Sequence, residues 1–280
     1  MEGKVVVVTG GTSGIGQVAA ERLAAMGARV VLVARSQSRG EAAMTRLHEM
    51  GPKERHSVHY GDVSRLRDLN RLAGEIRSAE PRIDVLINNA GAAFSKRSVT
   101  EDGLELTFAT NHLSYFVLTQ GLLDALRPAG TARVVNTSSH AHYRARIDFE
   151  DLQMERNFQG FRAYGVTKLM NILFTRALAK RLAGSSITTN SLHPGFVNTR
   201  IGDEGSGFIA AAFRFAKNFA ITPEKGAETI VYLASSDEVA QTSGLYFYKC
   251  QPMEPSKAAQ DDAAAERLWR ETAKLAGIHE

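Results

Sequence analysis

Tyr164 and Lys168 stand four residues apart in an amphipathic stretch running from about 161 to 183, so a helix there carries both on one face. A tyrosine hydroxyl ordinarily titrates near ~10, too high for efficient proton exchange around neutrality. A lysine cation beside it favours the phenolate and lowers that value, which turns the pair into a general acid/base. The spacing is common on ordinary exposed helices and acquires meaning only in company. Company comes from Asn136-Thr137-Ser138-Ser139, directly after an apolar run that reads as a strand. Either serine hydroxyl there can donate to a substrate oxygen while the tyrosine exchanges its proton, or can close a turn. Chemistry of that kind interconverts an alcohol and its carbonyl.

Such residues need a scaffold that brings them to one edge. Short apolar runs at Val5–Val8, Arg29–Val33, Ser57–Tyr60, Ile83–Ile87, Ala132–Val135, Ile187–Asn190 and Leu245–Phe247 read as strands covered on both faces, being rich in valine and isoleucine without polar alternation. Helical stretches fall between them, at about 15–26, 37–50, 65–79, 103–126, 161–183 and 224–235. Strand and helix in alternation predict an α/β fold with about seven parallel strands and helices on both faces. A closed eight-stranded barrel competes, but the glycines after the first strand favour the open, doubly wound sheet.

That first strand ends in Thr9-Gly10-Gly11-Thr12-Ser13-Gly14-Ile15-Gly16. Glycines let the backbone turn sharply and approach a ligand, and the following helix offers free N–H groups and a positive dipole end to a pyrophosphate. Gly10, Gly14 and Gly16 are spaced differently from the usual G-x-G-x-x-G fingerprint. At the end of the second strand, Arg35, Ser36 and Arg39 stand where an acidic side chain would bind the ribose of NAD, and the first carboxylate is Glu41. Arginine there accommodates the extra phosphate, so the expected cofactor is NADP(H). Asp62, followed by Val63 after the third strand, can accept from an adenine amino group or cap the next helix. Asn88-Asn89-Ala90-Gly91 follows the fourth strand, where Asn89, Ala90 and Gly91 can line a cofactor.

Taken in order, Thr9-Gly10…Gly14-Ile15-Gly16, Asn88-Asn89-Ala90-Gly91, Ser139, Tyr164…Lys168 and Pro194-Gly195 resemble the short-chain dehydrogenase/reductase family over roughly residues 3 to 250. The resemblance implies a Rossmann fold, a nicotinamide cofactor and an Asn-Ser-Tyr-Lys catalytic set. By position, Asn111 would hold a proton-relay water with Lys168, and Ser139 would orient the carbonyl. Tyr164 would be the acid/base, and Lys168 would bind the nicotinamide ribose and tune the tyrosine. Pro194, Gly195, Val197 and Thr199 would contact the nicotinamide end. Asn111-His112-Leu113, the interval from Ser139 to Tyr164, Leu173-Phe174-Thr175 and His193-Pro194-Gly195 resemble the retinol dehydrogenase branch, which acts on lipophilic alcohols and carbonyls. Thr167 replaces the serine common before the lysine.

The 280 residues, 44% hydrophobic and 23% charged, suit one globular domain, with no Pro/Gly/Ser-rich linker to divide them. A formal charge of +4 is spread among acidic residues, which speaks against a nucleic-acid partner. The single cysteine, Cys250, excludes an internal disulfide and a cysteine-based metal cluster, and a reducing cytoplasm is the expected compartment. No apolar run is long enough for a membrane anchor, and no metal is expected. Residues 205–221 place Phe208, Ala212, Phe215 and Phe219 on one helical face, as a substrate lid, a helix packed on the core or a membrane-surface helix. A helix at about 256–276 would dock through Leu268, Trp269 and Leu275. The family implies a homodimer or homotetramer through the long helices at 103–126 and 161–183. Two other functions compete: a non-catalytic NADP(H) sensor or scaffold, and a nucleotide-sugar epimerase or dehydratase.

Overall fold

A computed structural model describes residues 1–50, 56–195 and 221–278. Its single sheet runs β3-β2-β1-β4-β5-β6-β7-β8. These strands are β1 (Val5–Thr9), β2 (Arg29–Ala34), β3 (Ser57–Tyr60), β4 (Val85–Asn88), β5 (Ala132–Thr137), β6 (Ile187–Leu192), β7 (Tyr246–Tyr248) and β8 (Gln251–Pro252). The first seven pair in parallel. Only the two-residue β8 is antiparallel, turned back on β7 through Lys249 and Cys250, both at positive φ.

Parallel neighbours need long crossovers, which the helices provide. Along β1, Val6 and Val8 point to one layer and Val7 to the other. The first layer is built from α1 (Gly14–Ala25), α2 (Gln37–Met50) and α6 (Pro223–Ser235). The second holds α3 (Leu66–Ala79), α4 (106–126), α5 (Gly160–Arg181) and α7 (Asp262–Leu275). Burial on both sides explains why the strand sequences carry valine and isoleucine without alternation. The strand order reverses between β1 and β4, which opens a crevice at the carboxyl ends of the strands.

Helix α4 starts later than its apolar periodicity suggests. A bridge between Val99 and Glu105 comes first, and the Glu105 carboxylate accepts the N–H groups of Thr107 and Phe108 at 2.8 Å. The helix then runs through Leu106–Phe108, a π-turn at Ala109–Leu113 and Ser114–Leu126. At the other end of the chain, a short turn at Lys257–Gln260 precedes α7, which starts at Asp262 rather than near 256 and packs through buried Leu268 and Trp269 and half-buried Leu275. The Trp269 ring meets Phe116 edge-on at 4.8 Å, stacks on Phe174 at 5.8 Å and lies 4.0 Å beneath the Arg181 guanidinium. The chain itself thus covers part of α4 and α5, the helices expected to meet a second copy. Among the described residues no helix is long and apolar enough to cross a membrane. The expected lid at 205–221 lies outside the described residues except for Ile221, as do Val197 and Thr199.

Candidate active site

The glycine turn is shaped by what lies against it. Gly10 and Gly14 adopt φ of 68° and 58°, which side-chain-bearing residues rarely take. A Cβ on Gly10 would come within 2.9 Å of the Ala90 Cα, and one on Gly16 would overlap Asn89 Nδ2 and the Gly10 carbonyl. Asn89 Nδ2 donates to the carbonyls of Thr9 and Gly10, each at 3.3 Å, while Thr9 Oγ1 accepts the N–H groups of Asn89 and Ala90. The Asn89 side chain therefore holds the turn shut from behind. Ile15 is buried in the core, which leaves Thr12, Ser13 and Gly14 at the mouth. Ser13 caps α1 without a side-chain bond, the first turn has no acid, and the first main-chain bond of the helix runs from Gln17 N to Ser13 O. The N–H groups of Gly14, Ile15 and Gly16 precede that bond, so the turn is a cradle with the donors and dipole that a pyrophosphate needs.

Further along the same edge, the exposed Arg35 guanidinium stands 4.0 Å from the Asp62 carboxylate, joining the ends of β2 and β3. Arg39, also exposed, lies one helical turn beyond, and its backbone N–H reaches Ser36 Oγ at 3.5 Å. Asp62 does close a turn, because its Oδ1 accepts the N–H and hydroxyl of Ser64 at 3.0 and 2.8 Å. Yet it does not cap α3; the first N–H of that helix, on Leu66, is taken by Asp102 at 2.9 Å. Val63 packs half-buried beside it.

The four residues singled out for chemistry meet at the carboxyl ends of β4 and β5. Asn111 sits in the π-turn of α4, its side chain bonded to both the N–H and the carbonyl of Ala92 at 2.8 Å. Its Nδ2 also reaches Thr167 Oγ1 at 3.1 Å, so the threonine before the lysine keeps a working hydroxyl. Lys168 Nζ donates to the Thr137 carbonyl at 3.1 Å and lies 5.5 Å from the centre of the Tyr164 ring. Gly91 is the near wall, since a Cβ there would come within 3.2 Å of Lys168 Nζ and 3.3 Å of Asn111 Oδ1.

Geometry also separates the two serines. Ser138 is buried and donates its hydroxyl to the Lys168 carbonyl at 2.7 Å, which ties β5 to α5. Ser139 is half-exposed; its oxygen accepts the Ala141 N–H at 3.2 Å, and its hydroxyl lowers the proton affinity of Tyr164. Charge behaves differently from the simple pair argument. Burial pushes the Tyr164 hydroxyl up, opposed by the bond from Ser139, and lowers the Lys168 ammonium to about 7. The spacing argument counted the lysine's charge, whereas desolvation acts on both groups against ionisation.

Several supporting residues were not anticipated. Tyr115 sends its hydroxyl to the Thr137 carbonyl at 3.5 Å, and Asn171 donates to that carbonyl at 3.2 Å. His142 donates from Nδ1 to the Ser139 carbonyl at 2.7 Å and accepts the Ser256 N–H at 3.1 Å, which fixes the backbone of Ser139. His193 accepts the Gly195 N–H at 3.1 Å and stacks on Tyr248 at 4.1 Å, holding the Pro194-Gly195 segment as it leaves β6. Asn171, on the same helical face as Tyr164 and Lys168, was legible from spacing. His193 was marked only through the His193-Pro194-Gly195 motif, and His142 carries no comparable sequence signal.

Comparison with known proteins agrees with this geometry. A family model described as short chain dehydrogenase matches residues 4–206. Human retinol dehydrogenase 13 is 37% identical over 283 residues, covering 99% of this chain and 85% of its own. An uncharacterized protein from Mycobacterium Paratuberculosis superposes with a TM-score of 0.82 at 33% identity, covering 99% of this chain and 95% of that one. The Pseudomonas aeruginosa RhlG/NADP active-site complex does so with a TM-score of 0.71 at 29% identity, covering 88% and 94%. With the glycine cradle and the crevice at the strand ends, these likenesses establish that the chain belongs to the short-chain dehydrogenase family, in its retinol dehydrogenase-like branch, as a nicotinamide-linked oxidoreductase of alcohols and carbonyls.

Proposed function

We propose that the protein reduces a lipophilic aldehyde or ketone with NADPH, and oxidises the alcohol in reverse, with Tyr164 as the acid/base. The observation that carries the reading is the buried Lys168 ammonium, 5.5 Å from the Tyr164 ring and bonded to the Thr137 carbonyl two residues before Ser139, at the edge where the glycine cradle opens. When bound, the nicotinamide supplies or accepts the hydride. The chain's own residues do the rest. Gly10, Thr12, Ser13, Gly14, Ile15 and Gly16 present backbone to the pyrophosphate, with Ala90 and Gly91 as the facing wall and Asn89 behind the turn. Arg35, Ser36 and Arg39 face the 2′-phosphate end, and Asp62 with Val63 bounds the adenine side. Ser139 donates to the substrate oxygen, and Tyr164 delivers a proton to that oxygen as charge develops on it. Lys168 holds the phenolate form accessible when the tyrosine gives up its proton, and Asn111 keeps the wall at Ala92 in register with it. Pro194 and Gly195 line the nicotinamide side.

Two arguments support NADP(H) and an apolar substrate. The ribose end presents two exposed arginines and no carboxylate within that turn, and one similar structure is an NADP complex. The curated relative is named for retinol, a lipophilic alcohol. The test is an NADPH-oxidation screen across aliphatic aldehydes, aromatic ketones, steroids and retinal, with NADH as control. Turnover rising with substrate hydrophobicity, and at least about tenfold better kcat/KM with NADPH, is the expected outcome. A preference for NADH would overturn the cofactor assignment.

A further inference from the structure

We propose that Thr272, His112 and Asn171 form a one-way chain of hydrogen bonds through which the C-terminal helix positions the carbonyls beside Lys168; the inference rests on the reaction proposed above. Asn171 lies three residues after Lys168 and seven after Tyr164, on the same face of α5. Its Nδ2 donates to the Asn111 carbonyl at 2.9 Å and to the Thr137 carbonyl at 3.2 Å. The second of these oxygens is also the acceptor of Lys168 Nζ.

From there every direction follows. Two carbonyl acceptors can be served only by the amide's N–H groups, so Asn171 Oδ1 lies on the other side and can only accept. It faces His112 Nδ1 at 3.3 Å, which must therefore carry a proton. Burial lowers the His112 pKa to about 4, so the ring is neutral and its Nε2 is bare. Thr272 Oγ1 lies 3.0 Å from that nitrogen and must donate to it. Asn111, His112, Asn171 and Thr272 are all 1% exposed or less, so bulk water does not compete for these bonds. Were the amide to turn over, Asn171 Oδ1 would face two carbonyl oxygens, and the repulsion would displace the one that holds Lys168. Thr272 and His112 are positioning residues: they touch no reacting atom and act through Asn171.

Two opposed substitutions separate this from packing. Thr272→Val keeps the shape and removes the hydroxyl, while Thr272→Ser keeps the hydroxyl and removes the methyl. Below both unfolding transitions, Thr272→Val should lower kcat about tenfold with KM and NADPH affinity within about twofold of wild type, and Thr272→Ser should return most of the rate. Equal loss in both variants, or full rate in Thr272→Val, would overturn the proposal. A measurement without turnover decides the direction separately. Nitrogen NMR of histidine-labelled wild-type protein, with His112 assigned by His112→Gln, should find its proton on Nδ1; a proton on Nε2 would also overturn it. Wild-type protein inactive on every carbonyl would instead defeat the reaction proposed above, and the NMR result would still decide the chain of bonds.

Discussion

At Tyr164 two influences oppose each other: burial disfavours the phenolate, and Ser139 favours it by donating. A hydroxyl held in that balance suits proton delivery to a developing alkoxide, for which the acid need not be ionised beforehand. Replacing Tyr164 with Phe keeps the ring against Lys168 and removes the hydroxyl that carries the proton. Turnover should fall by about 10²-fold or more, with NADPH affinity nearly unchanged. Steady-state kinetics beside a fluorescence titration of NADPH reads both, and undiminished kcat would exclude the tyrosine from the chemistry.

The cofactor turn is a property of an element and its neighbour. Strand β1, the glycine run and the start of α1 make the cradle, but Asn89 beyond β4 closes it. Gly16 has the least space of these glycines, since a Cβ there would overlap both Asn89 Nδ2 and the Gly10 carbonyl. Gly16→Ala must shift the asparagine or the turn, so NADPH Kd should rise by about tenfold or more and Tm should fall. Gly10 is tight as well, while Gly14 needs only its positive φ and has open space around its missing side chain. Titration and thermal unfolding of the Gly16→Ala variant check the expectation; wild-type affinity would show that the turn yields without cost.

Among the buried histidines of the described residues, His112, His142 and His193 join segments far apart in the chain. His112 links α4 to α7, His142 links the end of β5 to Ser256, and His193 anchors the segment after β6. Burial is the largest influence on each and lowers all three from 6.5 to about 4. In the unfolded chain they would titrate near ~6.5. Between those values the unfolded state holds protons that the folded state does not, so stability rises with pH and is lost as pH falls from about 6.5 toward 4. Thermal unfolding followed across that window should show Tm falling steeply, with an uptake approaching three protons near pH 5 from these groups. A flat Tm from pH 6.5 to 4.5 would contradict the burial of all three.

The fold and most of the site were readable in the sequence because the signals involved are local. Valine and isoleucine cluster without alternation in β1, β2 and β4, the other parallel strands lie on short runs bounded by turn residues, and periodicity locates α1, α2, α3, α5 and α6 to within about two residues at each end. Glycines that require positive φ mark the cradle, and a four-residue spacing puts Tyr164 beside Lys168. What resisted reading depends on partners distant in the chain. The late start of α4 follows from the Val99–Glu105 bridge, and β8 from a left-handed turn at Lys249 and Cys250. Only the folded arrangement decided that Ser138 serves structure while Ser139 meets the tyrosine, and that Asp62 closes a turn without capping α3. Tyr164 and Lys168 were identifiable by type and spacing alone, but their proton affinities were not. Type and spacing are written along the chain; desolvation exists only once strands and helices have closed over Lys168 and partly covered Tyr164.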